Sequence, residues 1–198
     1  MSNEKDKIPN ERRGECAEEA LRSFGTAYIF EKRAKKIRWK VTSLTFFGIA
    51  VPASVGAVIA TYNISSENLK YIVYTAGSLA FIQLLLSIWS LSSCWNQKLA
   101  YYLESKSANY RLADRFDSLG KTTLLTAHDF DTEFRVLKNE AEMRTVLDYQ
   151  HDVSDREKRM GMRSALRRFQ RPCPECNEVP TSMKSTNCHI CGNFKKEI

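Results

Sequence analysis

Two uncharged stretches decide the fold of this 198-residue chain: VTSLTFFGIAVPASVGAVIATYNISS over 41–66 and YIVYTAGSLAFIQLLLSIWSLSSCWNQ over 71–97. A helix needs about 20 predominantly apolar residues to cross a hydrocarbon core about 30 Å thick, and both stretches are long enough. The alternative is a pair of buried helices in a soluble bundle, but apolar runs in such helices are usually only about 10–14 residues long. We therefore predict a membrane protein with two transmembrane helices, over about 41–61 and 71–95.

The charged residues lie outside these stretches and set the expected orientation. Lys and Arg are frequent directly before the first stretch and after the second, whereas the connecting loop over 62–70 holds only Lys70 against Glu67. Short loops rich in Lys and Arg stay in the cytoplasm. We expect a multi-pass membrane protein that contacts membrane lipids and has both termini in the cytoplasm. A cleaved signal peptide is not expected, because residues 1–40 are charged and amphipathic and lack its short apolar core.

A few residues inside the predicted spans are expected to govern helix packing. Gly48, Gly56 and Ala60 are small enough to let membrane helices approach closely. Pro52 removes one backbone hydrogen bond and should bend the first span. Gln83, near the centre of the second span, needs a partner for its amide: it either makes an interhelical hydrogen bond worth about 1 kcal/mol or lines a pore. Neither span holds Asp, Glu, Lys, Arg or His, which argues against a proton-coupled carrier or pump.

Apolar residues recur at helical spacing in both flanks. The stripes before and after the spans are expected to bury each other, so that an amphipathic helix and a long helix running unbroken from the second span to Gly120 form a four-helix stem with the spans. A third stripe indicates a further helix that packs or oligomerises. The three stripes are Ala17, Leu21, Phe24 and Tyr28; Leu99, Leu103, Tyr110, Leu112 and Phe116; and Phe130, Phe134, Leu137, Ala141 and Leu147.

Two CxxC motifs carry the strongest chemical signal. CPEC over 173–176 and CHIC over 188–191 are separated by eleven residues. Four thiolates in two such pairs can enclose a metal tetrahedrally, which is the geometry of structural zinc sites. Disulfides or a redox pair are alternatives, but the cytoplasm is reducing and no βαβ pattern surrounds the motifs. We predict a small ribbon or knuckle, with His189 as a bystander, that binds structural Zn²⁺ through Cys173, Cys176, Cys188 and Cys191.

A basic stretch precedes the cysteines and contributes to the net charge of +7. Such a stretch can bind nucleic acid, hold anionic lipid head groups, or simply form a solvated helix face. The residues expected to make such contacts are Arg163, Arg167, Arg168 and Arg171.

The predicted fold is an all-α membrane protein with four parts. These are an N-terminal amphipathic helix (1–40), a transmembrane hairpin (41–95), a cytoplasmic helical region (96–170) and the zinc ribbon or knuckle (171–198). No catalytic arrangement is evident: Gly120-Lys121-Thr122 resembles the end of a phosphate-binding loop, but Arg115 stands where that motif needs its first glycine. We expect a protein that is not an enzyme.

The order of these parts resembles the SLATT family of bacterial effector domains, which has a two-span hairpin with an amphipathic helix before it and a long helix after it. The CxxC-x(11)-CxxC tail is similar to that of a subgroup from mobile elements. The resemblance implies an effector that perturbs or permeabilises the bacterial inner membrane in conflict or anti-phage defence, set off by a partner that senses infection. We expect this partner to be a sensor or activator protein from the same operon. Because two spans are too few to enclose an aqueous channel, any pore is expected to require a homo-oligomer. The alternative is a membrane-anchored zinc module that binds nucleic acid or scaffolds a partner protein.

Overall fold

The computed structural model describes residues 10–61 and 66–194, and nothing is stated for the side chains of 58–69, Ala60 included. The loop residues 62–65 also lie outside the described residues. Five α-helices and no strand occur within the described ranges, which confirms the all-α prediction. The helices are α1 (Asn10–Thr61), α2 (Ser66–Ser92), α3 (Trp95–Lys121), α4 (Ala127–Tyr149) and α5 (Asp155–Phe169).

The chain divides into two compact units, here called the hairpin unit, Arg33–Tyr101, and the cysteine-bearing unit, which holds the described residues up to Lys32 and from Tyr102 onward. In the hairpin unit, α1 and α2 each contain a segment long and apolar enough to span a membrane. The most apolar window of each helix is entirely unburied within the chain. Helices that filled a soluble core would be mostly buried, and the described residues provide no core for these two segments.

Gly48 and Gln83 meet inside the hairpin unit. A Cβ placed on Gly48 would lie 2.6 Å from Gln83 Nε2, so the missing side chain of the glycine makes room for the amide. A Cβ on Gly56 would meet no atom within 4 Å, so Gly56 does not bring α1 and α2 together within one chain. The α1 helix continues through Pro52. The Ser78 hydroxyl donates to its own helix, at 2.9 Å from Tyr74 O.

The predicted unbroken helix from the second span to Gly120 is wrong, because α2 ends at Ser92 and α3 begins at Trp95. Cys94 lies between them with φ of 53°, and its N–H bonds Leu91 O at 3.0 Å. A left-handed residue ends a helix by satisfying a late carbonyl in this way. Glycine or asparagine usually holds such a position, and a cysteine gives no sequence signal for the break.

The cysteine-bearing unit is built on an apolar core shared by α1, α3 and α4. This core confirms the predicted burial of α1 against α3, but the α1 residues buried in it are Cys16 and Ala20 rather than the half-buried Ala17 and Leu21. Four of the five residues in the predicted α4 stripe are buried, and Leu147 is exposed. The core residues are Cys16, Ala20, Leu112, Phe116, Leu119, Phe130, Phe134, Leu137 and Ala141.

A buried polar cluster joins α3 to α4 and was not predicted. Asp148 accepts from Ser105 Oγ at 2.7 Å and from Asn109 Nδ2 at 2.8 Å. The Arg144 guanidinium lies 3.2 Å from the same carboxylate. Because a buried carboxylate is costly unless it is hydrogen-bonded and paired, these contacts favour one register of α4 against α3.

Helix α5 leads into the segment 171–194 that holds the four cysteines, here called the metal module. The helix is positioned by its cap and by a glycine contact. Ser154 caps α5 through a capping box with Glu157, which satisfies amides at the helix start. Gly161 of α5 packs on Gly25 of α1: a Cβ on Gly161 would lie 2.6 Å from Gly25 O and 3.0 Å from Ile29 Cδ1. The two backbones therefore touch at a point where only glycine fits.

Candidate metal centre

The metal module begins where α5 ends. Gln170 adopts a left-handed conformation at φ 52°, and Arg171 N bonds Leu166 O at 3.0 Å. Pro172 then prevents the helix from resuming. Leu166 and Met162 of α5, with Leu21 of α1, pack around the cysteine side chains. The module is thus seated on the inner faces of two helices.

Each CxxC motif forms a tight turn. In the first turn, Asn177 N bonds Cys173 O at 2.8 Å, and Asn177 is left-handed at φ 55°. In the second turn, Gly192 N bonds Cys188 O at 3.0 Å, and left-handed Asn193 follows. The described residues of the module contain turns without a strand, so the arrangement is a pair of knuckles. Asparagine tolerates the left-handed region better than most residues.

The two turns bring all four thiols together, with the sulfur atoms within 4.8 Å of one another. Cys173 Sγ lies 3.7 Å from Cys188 Sγ, and Cys176 Sγ lies 3.8 Å from Cys191 Sγ. Four sulfurs about 2.3 Å from a central ion at tetrahedral angles are separated by about 3.8 Å. A disulfide requires about 2.05 Å, and all four cysteines are free. The spacing fits one tetrahedrally bound metal ion.

Backbone amides point at the sulfurs from both turns. Ile190 N and Cys191 N each lie 3.4 Å from Cys188 Sγ. Burial raises the pKa of the Cys173 thiol, but the amides of Cys176 and Glu175 and the neighbouring thiols outweigh that effect, and its pKa is lowered overall. Hydrogen bonds that favour the thiolate prepare a cysteine for a metal, because the thiolate is the ligand form.

Arg163 belongs to this centre, which corrects its predicted role as a surface contact for lipid or nucleic acid. It is 6% exposed, and its Nε donates to Ser182 O at 2.8 Å. Its Nη1 lies 3.3 Å from Cys191 O and 3.8 Å from Cys191 Sγ. The guanidinium therefore points into the module and brings positive charge to the thiols. By contrast, Arg167 and Arg168 are exposed and Arg171 is half-buried.

Two further residues shape the module: Glu175, which the sequence argument missed, and Gly192, whose pairing with Asn193 suits a tight turn. The Glu175 carboxylate of the first knuckle accepts from Ile190 N of the second at 2.9 Å, which links the two turns. A Cβ on Gly192 would lie 2.5 Å from Thr186 Oγ1, so glycine is needed there. The acidic residue inside CPEC was a visible signal, but its partner became known only once the two turns were placed. His189 is exposed and does not belong to the thiol cluster.

Fold and site together define a class: an all-helical protein with two span-length apolar helices and a four-cysteine metal-binding module near its C-terminal end. The family model of mobilome CxxCx(11)CxxC proteins matches residues 13–194, and the chain belongs to this family. No curated protein and no solved structure matches the chain.

Proposed function

We propose that this protein is a non-enzymatic effector whose copies assemble in the bacterial inner membrane and permeabilise it. The observation that supports this most directly is the hairpin unit, whose span-length apolar windows are unburied within the chain. A lipid bilayer suits helices of this length and composition, because a helix satisfies its backbone hydrogen bonds internally. The excess of Lys and Arg outside the spans supports cytoplasmic termini.

Permeation requires more than one copy. Two helices are too few to enclose an aqueous path, so any pore is formed between chains. The Gln83 amide is held over Gly48 at rest, where it is a polar group between two mostly apolar helix segments. In the closed assembly the Gln83 amide stays beside Gly48, and in the open assembly it faces the lumen of the pore. Gly56, open on its face, is available for close packing between copies.

The proposed ion in the cysteine module is Zn²⁺, because four thiolates at tetrahedral spacing are its preferred structural site. Four protein ligands leave no position for an activated water, so the ion contributes folding free energy to the module and no chemistry. The module packs on α1 and α5 through Leu21 and Leu166. Its proposed task is to hold these helices in the arrangement that an activator from the same operon recognises.

The proposed biological setting is conflict between bacteria and mobile elements or phage. It is supported by the description of the family as mobilome proteins and by the resemblance of the hairpin and its flanking helices to SLATT effectors.

A membrane-potential dye in bacteria that express the chain under control tests this proposal. The intact chain is expected to depolarise the membrane, either alone or with its genomic neighbours during phage challenge. Gln83→Leu should weaken depolarisation. Ser78→Ala is the matched control in the same helix and should act as the intact chain does, because that hydroxyl already bonds Tyr74 O. An unchanged potential in every condition, with the protein present in the membrane, would contradict the proposal.

A second candidate function is a membrane-anchored module that binds nucleic acid. The exposed guanidinium groups of Arg167 and Arg168 at the end of α5 favour it. The full chain in detergent would then bind DNA or RNA at low salt, with an affinity that falls steeply as salt rises. An Arg167→Gln/Arg168→Gln variant should bind more weakly. Absence of binding at low salt would exclude this candidate.

A further inference from the structure

Helix α4 has a second apolar stripe, opposite the one that it buries in the core. Val136, Met143 and Val146 are 56%, 66% and 65% exposed. With Thr132 and Asn139 they are spaced alternately four and three residues apart, so they share one face of the helix. This face has no partner within the described part of the chain, so it is a candidate interaction surface.

The charges beside the stripe indicate what covers it. Glu133 and Glu140 border it on one side, and Arg135 and Glu142 on the other. Three carboxylates against one guanidinium disfavour nucleic acid and anionic lipid, which both require a basic surface. Arg115 of α3 pairs with Glu140. Arg135 and Glu142, in contrast, make no ion pair with the described residues of their own chain.

Arg135 and Glu142 are seven residues apart, which is two helical turns, so they lie on the same border. When two copies of α4 run antiparallel about a two-fold axis at Asn139, Arg135 of each copy faces Glu142 of the other. The same register places Val136 against Met143, twice. The Arg135–Glu142 border and the apolar positions therefore match themselves, as an isologous interface requires. On the other border, Glu140 of each copy lies close to the axis, where its charge is offset by Arg115 of its own chain.

We propose that the stripe Thr132–Val136–Asn139–Met143–Val146 is the surface through which two copies of this chain pair, antiparallel, with Asn139 at the axis. The inference deepens the assembly step of the proposed function and rests on that step. The stripe is only about two heptads long, which is too short to hold two copies together in dilute solution. Confinement in one membrane raises the effective concentration of the copies and makes a weak contact sufficient.

Cross-linking of the full chain in intact membranes tests the register. Asn139→Cys, in a Cys94→Ser background, should form a dimer with a short bis-maleimide, because the axis places the two cysteines side by side. Asp114→Cys, exposed on α3, is the matched control and should cross-link much less. The buried Cys16 and the metal-bound cysteines should not react. Equal cross-linking at 114 and 139 would overturn the inference.

A charge swap tests whether the partner is a second copy. Arg135→Glu alone, or Glu142→Arg alone, should lower the cross-linked fraction about fivefold, because each dimer exchanges two attractions for two repulsions. The double variant should recover to within about twofold of the starting level, since both borders reverse together. Failure of the double variant to recover would indicate a different partner and overturn the inference.

Depolarisation is measured separately in the same cells. Depolarisation without cross-linking at Asn139 would refute the interface and leave the proposed function standing. Cross-linking without depolarisation would support the interface and count against permeabilisation.

Discussion

Arg163 offers the sharpest test of how the metal module works. We predict that Arg163→Met weakens Zn²⁺ binding while the packing of the side-chain stem is kept. Four thiolates around a divalent ion carry two net negative charges, and Arg163 brings a guanidinium to within 3.8 Å of Cys191 Sγ. It also holds the segment between the two knuckles through Ser182 O at 2.8 Å.

The magnitude follows from the bonds that are lost. A hydrogen bond from a charged donor contributes about 1.5–3 kcal/mol, so loss of the Ser182 bond alone corresponds to about 10- to 150-fold in binding. Mutation of groups that support metal ligands usually costs about 10- to 100-fold, which is the same range. Arg163→Lys should fall between the wild type and Arg163→Met, because an ammonium keeps the charge but lacks the fork that reaches both Ser182 and Cys191.

The assay is competition for Zn²⁺ between the full chain in detergent and a chromophoric chelator of known affinity. Arg167→Met is the matched control, since it removes the same charge from an exposed position on the same helix and should change affinity by less than about twofold. Thermal melting with excess Zn²⁺ checks that both variants fold. If Arg163→Met folds and binds Zn²⁺ as tightly as Arg167→Met does, the reasoning from charge and geometry is refuted.

Three further predictions test the packing of the cysteine-bearing unit. Gly161→Ala should lower the free energy of unfolding by about 1–3 kcal/mol in thermal melts, because its Cβ would strike the Gly25 backbone. Gly14→Ala is the control and should be neutral or stabilising, because a Cβ there meets nothing within 4 Å. Equal effects of the two substitutions would contradict the Gly161–Gly25 contact. Ser154→Ala should cost about 0.5–2 kcal/mol through loss of the α5 cap, measured by the same melts, and an unchanged melting temperature would count against that cap. Burial raises the pKa of Cys16 to about 11. Iodoacetamide should therefore leave Cys16 unlabelled at pH 8 and label it faster as the pH rises toward 11, as measured by mass spectrometry. Labelling of Cys16 at pH 8 as fast as that of the exposed Cys94 would refute this prediction.

The parts that could be predicted from sequence are those set by local spacing. The four cysteines could be grouped because two short turns place each pair together whatever surrounds them. The helices could be placed because a 3.6-residue period is visible in one stretch of chain. Leu112 and Phe116 were predicted to be buried for this reason, and they are.

The parts that could not be predicted depend on where distant segments meet. Asp148 is buried because Ser105 and Asn109, about forty positions earlier, supply its hydrogen bonds, and no local pattern indicates this. Arg163 was grouped with surface arginines because it follows a run of basic residues, yet the module folds back over α5 and encloses it. The helix break at Cys94 occurs at a residue type that normally gives no sign of one.

The apolar surfaces that this molecule leaves exposed indicate how its copies assemble. The cysteine-bearing unit buries an apolar core of its own, and its metal module packs on α5. Two apolar surfaces are left without cover within the described chain: the hairpin unit and the outer stripe of α4. In the proposed function a bilayer covers the hairpin unit, since its two apolar segments are long enough to cross one. A bilayer does not suit the stripe, whose borders carry more carboxylates than guanidinium groups, so the stripe needs a protein, and the self-matching order of Arg135 and Glu142 selects a second copy. On this reasoning the membrane concentrates the chains and the stripe sets how they pair, which is why we place the function in the assembly rather than in the single chain.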